Sequence, residues 1–134
     1  MNGQVEIVDL FLSAKGRLAR TPFLIASAGL IAAIVIYESI VGTTLHWLTG
    51  WIVYPAVFFC GVCVLSKRLH DRGHSGWLAG LILVAMVAAW PQPYGFFDFL
   101  FCLVIAWAVV ELGLLGGEQG ENRFGLNPLR PLAL

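Results

Sequence analysis

The chain has 134 residues, of which 59% are hydrophobic and 12% are charged, and its formal net charge is +0. A soluble domain usually carries about 25% charged residues, and a domain this small could not bury so much apolar surface. The composition therefore indicates a membrane protein, and the absence of a net basic charge argues against a nucleic-acid partner. Three cysteines predict no disulfide framework.

A short amphipathic helix is predicted in the N-terminal interfacial segment, 4–14. Its apolar face would carry Val5, Val8, Phe11 and Leu12. Its polar face would carry Glu6, Asp9 and Ser13. This pattern favours a helix that lies at the membrane interface. The alternative is that the segment extends towards the first span or packs on a partner.

Four apolar runs follow, at about 22–41, 47–66, 76–90 and 96–115. A membrane-spanning helix needs about 20 residues, so three runs qualify and the third is short. We predict one all-α domain over 1–134, a polytopic membrane protein with four transmembrane helices and a cytoplasmic tail over 117–134. A re-entrant hairpin built from the third and fourth runs is the alternative to two full spans.

The basic residues predict the orientation of these spans, because cytoplasmic segments of membrane proteins collect Lys and Arg. All eight lie before the first run, between the second and third, or after the fourth: Lys15, Arg17, Arg20, Lys67, Arg68, Arg72, Arg123 and Arg130. Both termini are therefore expected in the cytoplasm. Glu38 and Asp98 fall on the outer side, with His46 as the basic partner there. They would reach interfacial water or form a weak entry site for a cation or proton.

The segment 67–77, KRLHDRGHSGW, is the most polar part of the chain. His70 and His74 have the i, i+4 spacing that pairs two imidazoles on a helix, and with Asp71 they are candidate metal ligands. However, Gly73 and the glycine that follows Ser75 indicate that the helix ends here. A hydrogen-bonded turn is favoured over a metal site, with Ser75 as the cap of the third span.

Glu111 lies about one turn inside the cytoplasmic end of the fourth run. A carboxylate at that depth is costly and normally faces a partner. Arg68 or Arg72 has the right depth, so we predict an ion pair that docks the fourth helix on the middle segment. A proton or ion relay through Glu111 is the alternative.

Three segments resemble a known pattern when they are taken together: KGRLARTPF at 15–23, KRLHDRGHSGW at 67–77 and GENRFGLNP at 120–128. Their order and spacing resemble the YhaH/YhaI-like family of small bacterial inner-membrane proteins, known as domain of unknown function 805 (DUF805). The resemblance covers essentially the whole chain. It implies a bacterial inner-membrane location and a multi-span helical fold, and it implies no particular activity.

All three segments are predicted on the cytoplasmic side, where they would form one polar cluster. The predicted cluster comprises Arg17, Arg20, Arg68, His70, Asp71, Arg72, Ser75, Trp77, Glu111, Asn122, Arg123 and Phe124. It would fix the bundle and bind membrane lipids, including anionic headgroups, or a partner.

The leading functional hypothesis is a non-enzymatic scaffold or accessory subunit, with a membrane-protein partner or as a homo-oligomer. The second is a small oligomeric transporter or channel that uses Glu38, Asp98 and Glu111. The third is a membrane enzyme or metal protein that uses His70 and its neighbours. No cofactor, catalytic set or metal site is predicted.

Overall fold

The computed structural model describes residues 7–89 and 94–129. The described helices are α1 (Ile7–Leu12), α2 (Arg20–Ile40), α3 (Thr43–Asp71), α4 (Leu78–Ala88) and α5 (Phe96–Ala108), and a π-helical segment, Val109–Leu114, continues α5. The described part of the chain forms no strand beyond an isolated bridge between Asn122 and Gly125. The prediction of an all-α fold is confirmed.

Among the described residues, three helices are long and apolar enough to cross a membrane: α2, α3, and α5 together with the π-helical segment. α4 is apolar but has 11 residues. At 1.5 Å per residue it is about 16 Å long, roughly half of the hydrocarbon thickness of a bilayer. The structure therefore contains three candidate spans and a shorter apolar helix, where the sequence predicted four spans.

The candidate spans expose most of their apolar surface. Only 11%, 22% and 11% of the most hydrophobic windows of α2, α3 and the α5 span are buried within the protein. A helix that is apolar on every face is typical of a membrane span, because lipid can solvate the faces that the protein leaves uncovered.

Proline and glycine mark two helix ends. Pro22 lies in the first turn of α2, where its missing N–H has no helical acceptor to lose. α3 ends at Asp71, and Gly73, two residues later, has φ +76°. There the His74 N–H donates to the Leu69 carbonyl at 2.8 Å and the Gly73 N–H to the His70 carbonyl at 3.0 Å, the Schellman pattern. Residues 67–71, expected between spans, instead form the last turns of α3.

One end of the bundle gathers the start of α2, the end of α3, the start of α4 and the end of the π-helical segment; we call it the polar end. The Leu18 N–H donates to the Lys67 carbonyl at 3.1 Å. The buried core extends from this end and includes Leu18, Phe23, Ala26, Val64, Leu69, Ala79, Ile82, Ala108 and Leu112.

α1 packs beside α3 at the polar end, and within the described residues it runs from Ile7 to Leu12. Lys67 Nζ lies 2.8 Å from Asp9 Oδ2, so Asp9 points towards the bundle. Leu10 and Phe11 pack against the core, whereas Val8 and Leu12 are exposed. The predicted apolar face is therefore divided between core and surface. Residues 4–6 of that prediction lie outside the described residues, as do 90–93 and 130–134.

Candidate functional site

A buried arginine stands at the centre of the polar end. The Arg68 side chain is 0% exposed, and its Nη1 atom lies 2.5 Å from Asp71 Oδ2, one turn along α3. Its other donors reach carbonyl oxygens of two other segments: Leu112 at 2.7 Å, Leu115 at 2.6 Å and Leu18 at 3.3 Å. One guanidinium therefore joins α3 to the chain before α2 and to the end of the π-helical segment.

Asp71 receives a second arginine from the segment before α2. Arg17 Nε and Nη2 lie 3.0 and 2.9 Å from Asp71 Oδ1, and the two side chains are 1% and 4% exposed. Arg17 also donates to the carbonyls of Glu118 and Gly120, both at 2.6 Å. This arginine therefore fastens the C-terminal tail across the end of α3.

The carboxylate of Asp71 is packed against a glycine of the tail. A Cβ atom at Gly117 would overlap Asp71 Oδ2 and lie 2.7 Å from Oδ1. The Glu118 N–H also donates to the Asp71 carbonyl at 2.8 Å. The absence of a side chain at Gly117 lets the tail backbone approach the ion pair this closely. Sequence reasoning missed this contact, and the adjacent pair Gly116-Gly117 was the available signal.

Arginines cap the C-terminal end of the π-helical segment. Arg68 donates to the carbonyls of Leu112 and Leu115. Arg20 donates to the Leu114 carbonyl at 3.0 Å, and Arg72 donates to the Gly116 carbonyl. A helix terminus leaves its last carbonyls without intrahelical donors, and its dipole favours nearby cations. The arginines of the first two motif segments therefore satisfy the end of the last candidate span.

Glu111 binds Arg72 and His74. Arg72 donates through Nε at 3.0 Å and Nη2 at 2.8 Å, and His74 Nε2 lies 2.9 Å from the same oxygen, Oε1. The structure thus brings together the pair expected for Glu111, with Arg72 rather than Arg68 as the partner. Since Glu111 already has two basic partners, its charge is balanced within the protein.

His70 turns away from His74 and contacts the tail. Its ring stacks on Phe124 at 3.8 Å with an interplanar angle of 7°, and its Nδ1 lies 2.9 Å from the Gly16 carbonyl. Asn122 Nδ2 donates to the His70 carbonyl at 2.8 Å. Among the described residues, no group of three His, Cys, Asp or Glu side chains could hold a metal ion.

The remaining motif residues lie at the surface of this cluster. Trp77 is 91% exposed and is itself the N-cap of α4. Ser75 lies two residues before Trp77, and its Oγ accepts from the Trp77 backbone N–H at 3.4 Å. The prediction that Ser75 caps this helix is therefore wrong by two positions. Arg123 is exposed, and its guanidinium lies 4.7 Å from the centre of the Phe124 ring.

The two outer carboxylates are not part of the polar end. Glu38 lies in the last turn of α2, where Oε1 accepts from the Tyr54 hydroxyl and lies 3.3 Å from His46 Nε2. Asp98 caps the start of α5, accepting from the Gly95 N–H at 3.1 Å. The structure therefore separates Glu38 and Asp98 from Glu111, which lies at the polar end.

Apolar helices of membrane-spanning length that converge on buried arginines define a small α-helical protein of the membrane type. A family model described as "Protein of unknown function (DUF805)" matches residues 11–126. The chain belongs to this family, and the resemblance seen in its three motif segments is confirmed.

Relatives extend the comparison to two kinds of protein. The chain is similar to "Uncharacterized protein YiiR" of Escherichia coli K12, at 32% identity over 138 residues, covering 90% of this chain and 89% of YiiR; YiiR of strain O157:H7 gives the same values. It is also similar to "Na(+)/H(+) antiporter NhaA 1" of Erythrobacter litoralis, at 27% identity over 84% of this chain but 28% of the antiporter. No solved structure matches the chain.

Proposed function

We propose that this protein is a multi-pass protein of the bacterial inner membrane that acts as a non-enzymatic scaffold or accessory subunit. Its polar end would lie in the cytoplasm and bind anionic lipid headgroups or a partner protein. The observation that carries this proposal is that the basic side chains of the polar end fall into a buried group and an exposed group. Arg17 and Arg68 are buried and bonded within the chain, whereas Lys15 and Arg123 are exposed around them.

The proposed orientation of the chain in the membrane rests on the distribution of its basic residues. The basic residues of all three motif segments lie at or beside the polar end, and Lys and Arg collect in cytoplasmic segments. Both termini would then be cytoplasmic, because α2 begins and the π-helical segment ends at this end.

A fourth crossing that includes α4 also belongs to this proposal. The α5 span, 96–114, has 19 residues and is about 28 Å long, so its first residue would lie near the far side of a bilayer about 30 Å thick. α4 starts at the polar end and packs on both α3 and α5. α4 would therefore lie on the path of the chain from one membrane face to the other.

Impermeant thiol labelling tests this topology. In a chain whose native cysteines are replaced by alanine, we expect Gly95→Cys to be labelled on cells with a permeabilised outer membrane and Gly120→Cys only after lysis. Gly42→Cys, between α2 and α3, is the positive control for the outer side. A hairpin that re-enters from the cytoplasm would leave Gly95→Cys unlabelled while Gly42→Cys reacts.

Amine crosslinking and mass spectrometry in native membranes test the scaffold proposal. Lys15 is exposed, whereas Lys67 is buried and paired with Asp9. A crosslink from Lys15 would therefore identify a protein that contacts the polar end. We expect crosslinks from Lys15 to a second protein. Lys15→Arg keeps the charge and removes the reactive amine, so it should abolish them. Recovery of the chain only as a solitary protein would contradict the proposal.

A transporter or channel is the second candidate, and the similarity to a Na(+)/H(+) antiporter favours it. The carboxylates it would use are distributed as described above, with Glu111 at one end of the bundle and Glu38 at the other. Sodium or proton flux into proteoliposomes is the test. Flux that is unchanged in Glu111→Gln and Glu38→Gln would argue against a path through these carboxylates.

A further inference from the structure

A groove of about 410 Å³ lies at the polar end, between the middle and last motif segments and the residue that precedes the first. Its walls include His70, Ser75, Gly76 and Trp77 of the middle segment, Phe124 of the last, and Ala14, which precedes the first. The internal ion pairs of the polar end do not line it. The groove is therefore a second feature built by the motifs, separate from the arginine contacts that hold the helices together.

His70 presents a hydrogen-bond acceptor to this groove. Its Nδ1 faces the Gly16 carbonyl at 2.9 Å. Because a carbonyl can only accept, Nδ1 carries a proton, and in the neutral form of the ring Nε2 is then the acceptor. A Cβ atom built on Gly76 would lie 3.0 Å from Nε2. Nε2 accepts no hydrogen bond from any side chain or backbone group in the described part of the chain, so it is available to a ligand.

Two contacts hold the ring of His70 in place. Phe124 stacks against it at 3.8 Å, and the bond to Gly16 fixes its rotation. Asn122 in turn holds Phe124, because the Phe124 backbone N–H donates to Asn122 Oδ1 at 2.9 Å. A preorganised acceptor of this kind loses little conformational entropy when a donor binds.

The surroundings select the charge of the ligand. Lys15 is exposed and lies between Ala14 of the groove and Gly16, the partner of His70. The guanidinium of Arg123 lies 4.7 Å from the centre of the Phe124 ring that lines the groove. None of the described residues that line the groove carries a carboxylate. A ligand with a negative charge and a neutral donor fits this arrangement, whereas an ammonium would be repelled.

We propose that this groove binds an anionic glycerophospholipid whose headgroup carries a free hydroxyl. The hydroxyl would donate to His70 Nε2, the phosphate would lie near Lys15 and Arg123, and the acyl chains would leave past Trp77. Exposed tryptophans are typical of the membrane–water interface. This inference rests on the proposed function, because it places the polar end at the cytoplasmic leaflet.

Native mass spectrometry of the full chain with two matched lipids tests whether a headgroup hydroxyl strengthens binding. Phosphatidylglycerol and phosphatidylmethanol carry the same charge, and only the first has headgroup hydroxyls. One neutral hydrogen bond is expected to make phosphatidylglycerol bind about three- to tenfold more tightly. Gly76→Ala, which sets a methyl group against Nε2, should remove this preference. Gly80→Ala, a matched exchange in open space on α4, should retain it.

His70→Asn provides a second variant if Gly76→Ala does not fold. The asparagine amide can still donate to Gly16 but has no acceptor at the Nε2 position, so the preference should also be lost. Equal binding of the two lipids to the unchanged protein would overturn the inference, as would a preference that survives both variants. If both anionic lipids still bind more tightly than phosphatidylethanolamine, the proposed lipid-binding surface stands without the groove. If neither does, lipid binding by the polar end is wrong as well.

Discussion

Replacement of Arg68 by methionine should be among the most damaging single changes in this chain. The substitution removes the donors of two buried carbonyls, Leu18 and Leu112, whose hydrogen bonds lie in the protein interior. Each buried acceptor left without a donor costs about 1–3 kcal/mol, so the two together cost about 2–6 kcal/mol. Asp71 keeps Arg17 as a partner, which limits the further electrostatic cost. We expect a loss of about 3–5 kcal/mol in the free energy of unfolding, the usual range for breaking a buried ion pair.

The measurement is reversible unfolding in mixed micelles of mild detergent and dodecyl sulfate, followed by the fluorescence of the native tryptophans. Arg123→Met is the matched control, because it makes the same exchange at an exposed position, where surface substitutions change stability by less than about 0.5 kcal/mol. The reasoning is refuted if Arg68→Met unfolds within about 1 kcal/mol of the unchanged protein, below the range for breaking a buried pair. It is also refuted if Arg123→Met is destabilised equally.

Two further predictions concern other contacts of the polar end. Gly117→Ala should destabilise the protein by about 1–3 kcal/mol, the usual cost of overpacking, because its Cβ atom would overlap the carboxylate of Asp71; Gly116→Ala meets no atom within 4 Å and should be nearly neutral in the same unfolding assay. Glu111→Gln keeps the shape of the side chain but weakens two charge-assisted contacts, so we expect a loss of about 1–2 kcal/mol. Glu121→Gln, at an exposed position, is its control, and equal losses in the two glutamine variants would contradict the role of the ion pair.

The sequence was sufficient to predict which segments meet but not how they meet. The partition of the basic residues into three segments predicted a common polar end, and Gly73 predicted the end of α3. Arg68, Arg72 and Glu111 were recognised as candidates for one ion pair. The choice between the two arginines depends on how α3 and the π-helical segment are aligned along each other. That alignment is a tertiary property, and no local pattern in either segment determines it.

Two features had weaker sequence signals. The charges of residues 67–71 suggested a segment between spans, but these charges are neutralised inside the protein, and the helix continues through them to Asp71. The π-helical segment has no hydrophobic periodicity of its own, because its residues continue an apolar run that is equally compatible with an α-helix.

The arginine contacts change how the motifs of this chain are understood. The last carbonyls of a helix have no intrahelical donors, and here Arg20, Arg68 and Arg72 provide donors for the end of the last candidate span. A cluster that first suggests a binding surface for phosphates is therefore largely a structural joint between helices. The groups available for the proposed recognition are those that the joint does not use, namely the exposed Lys15 and Arg123 and the Nε2 atom of His70. Substitutions in the joint should change stability, whereas substitutions at the groove should change binding, and these two effects can be measured independently.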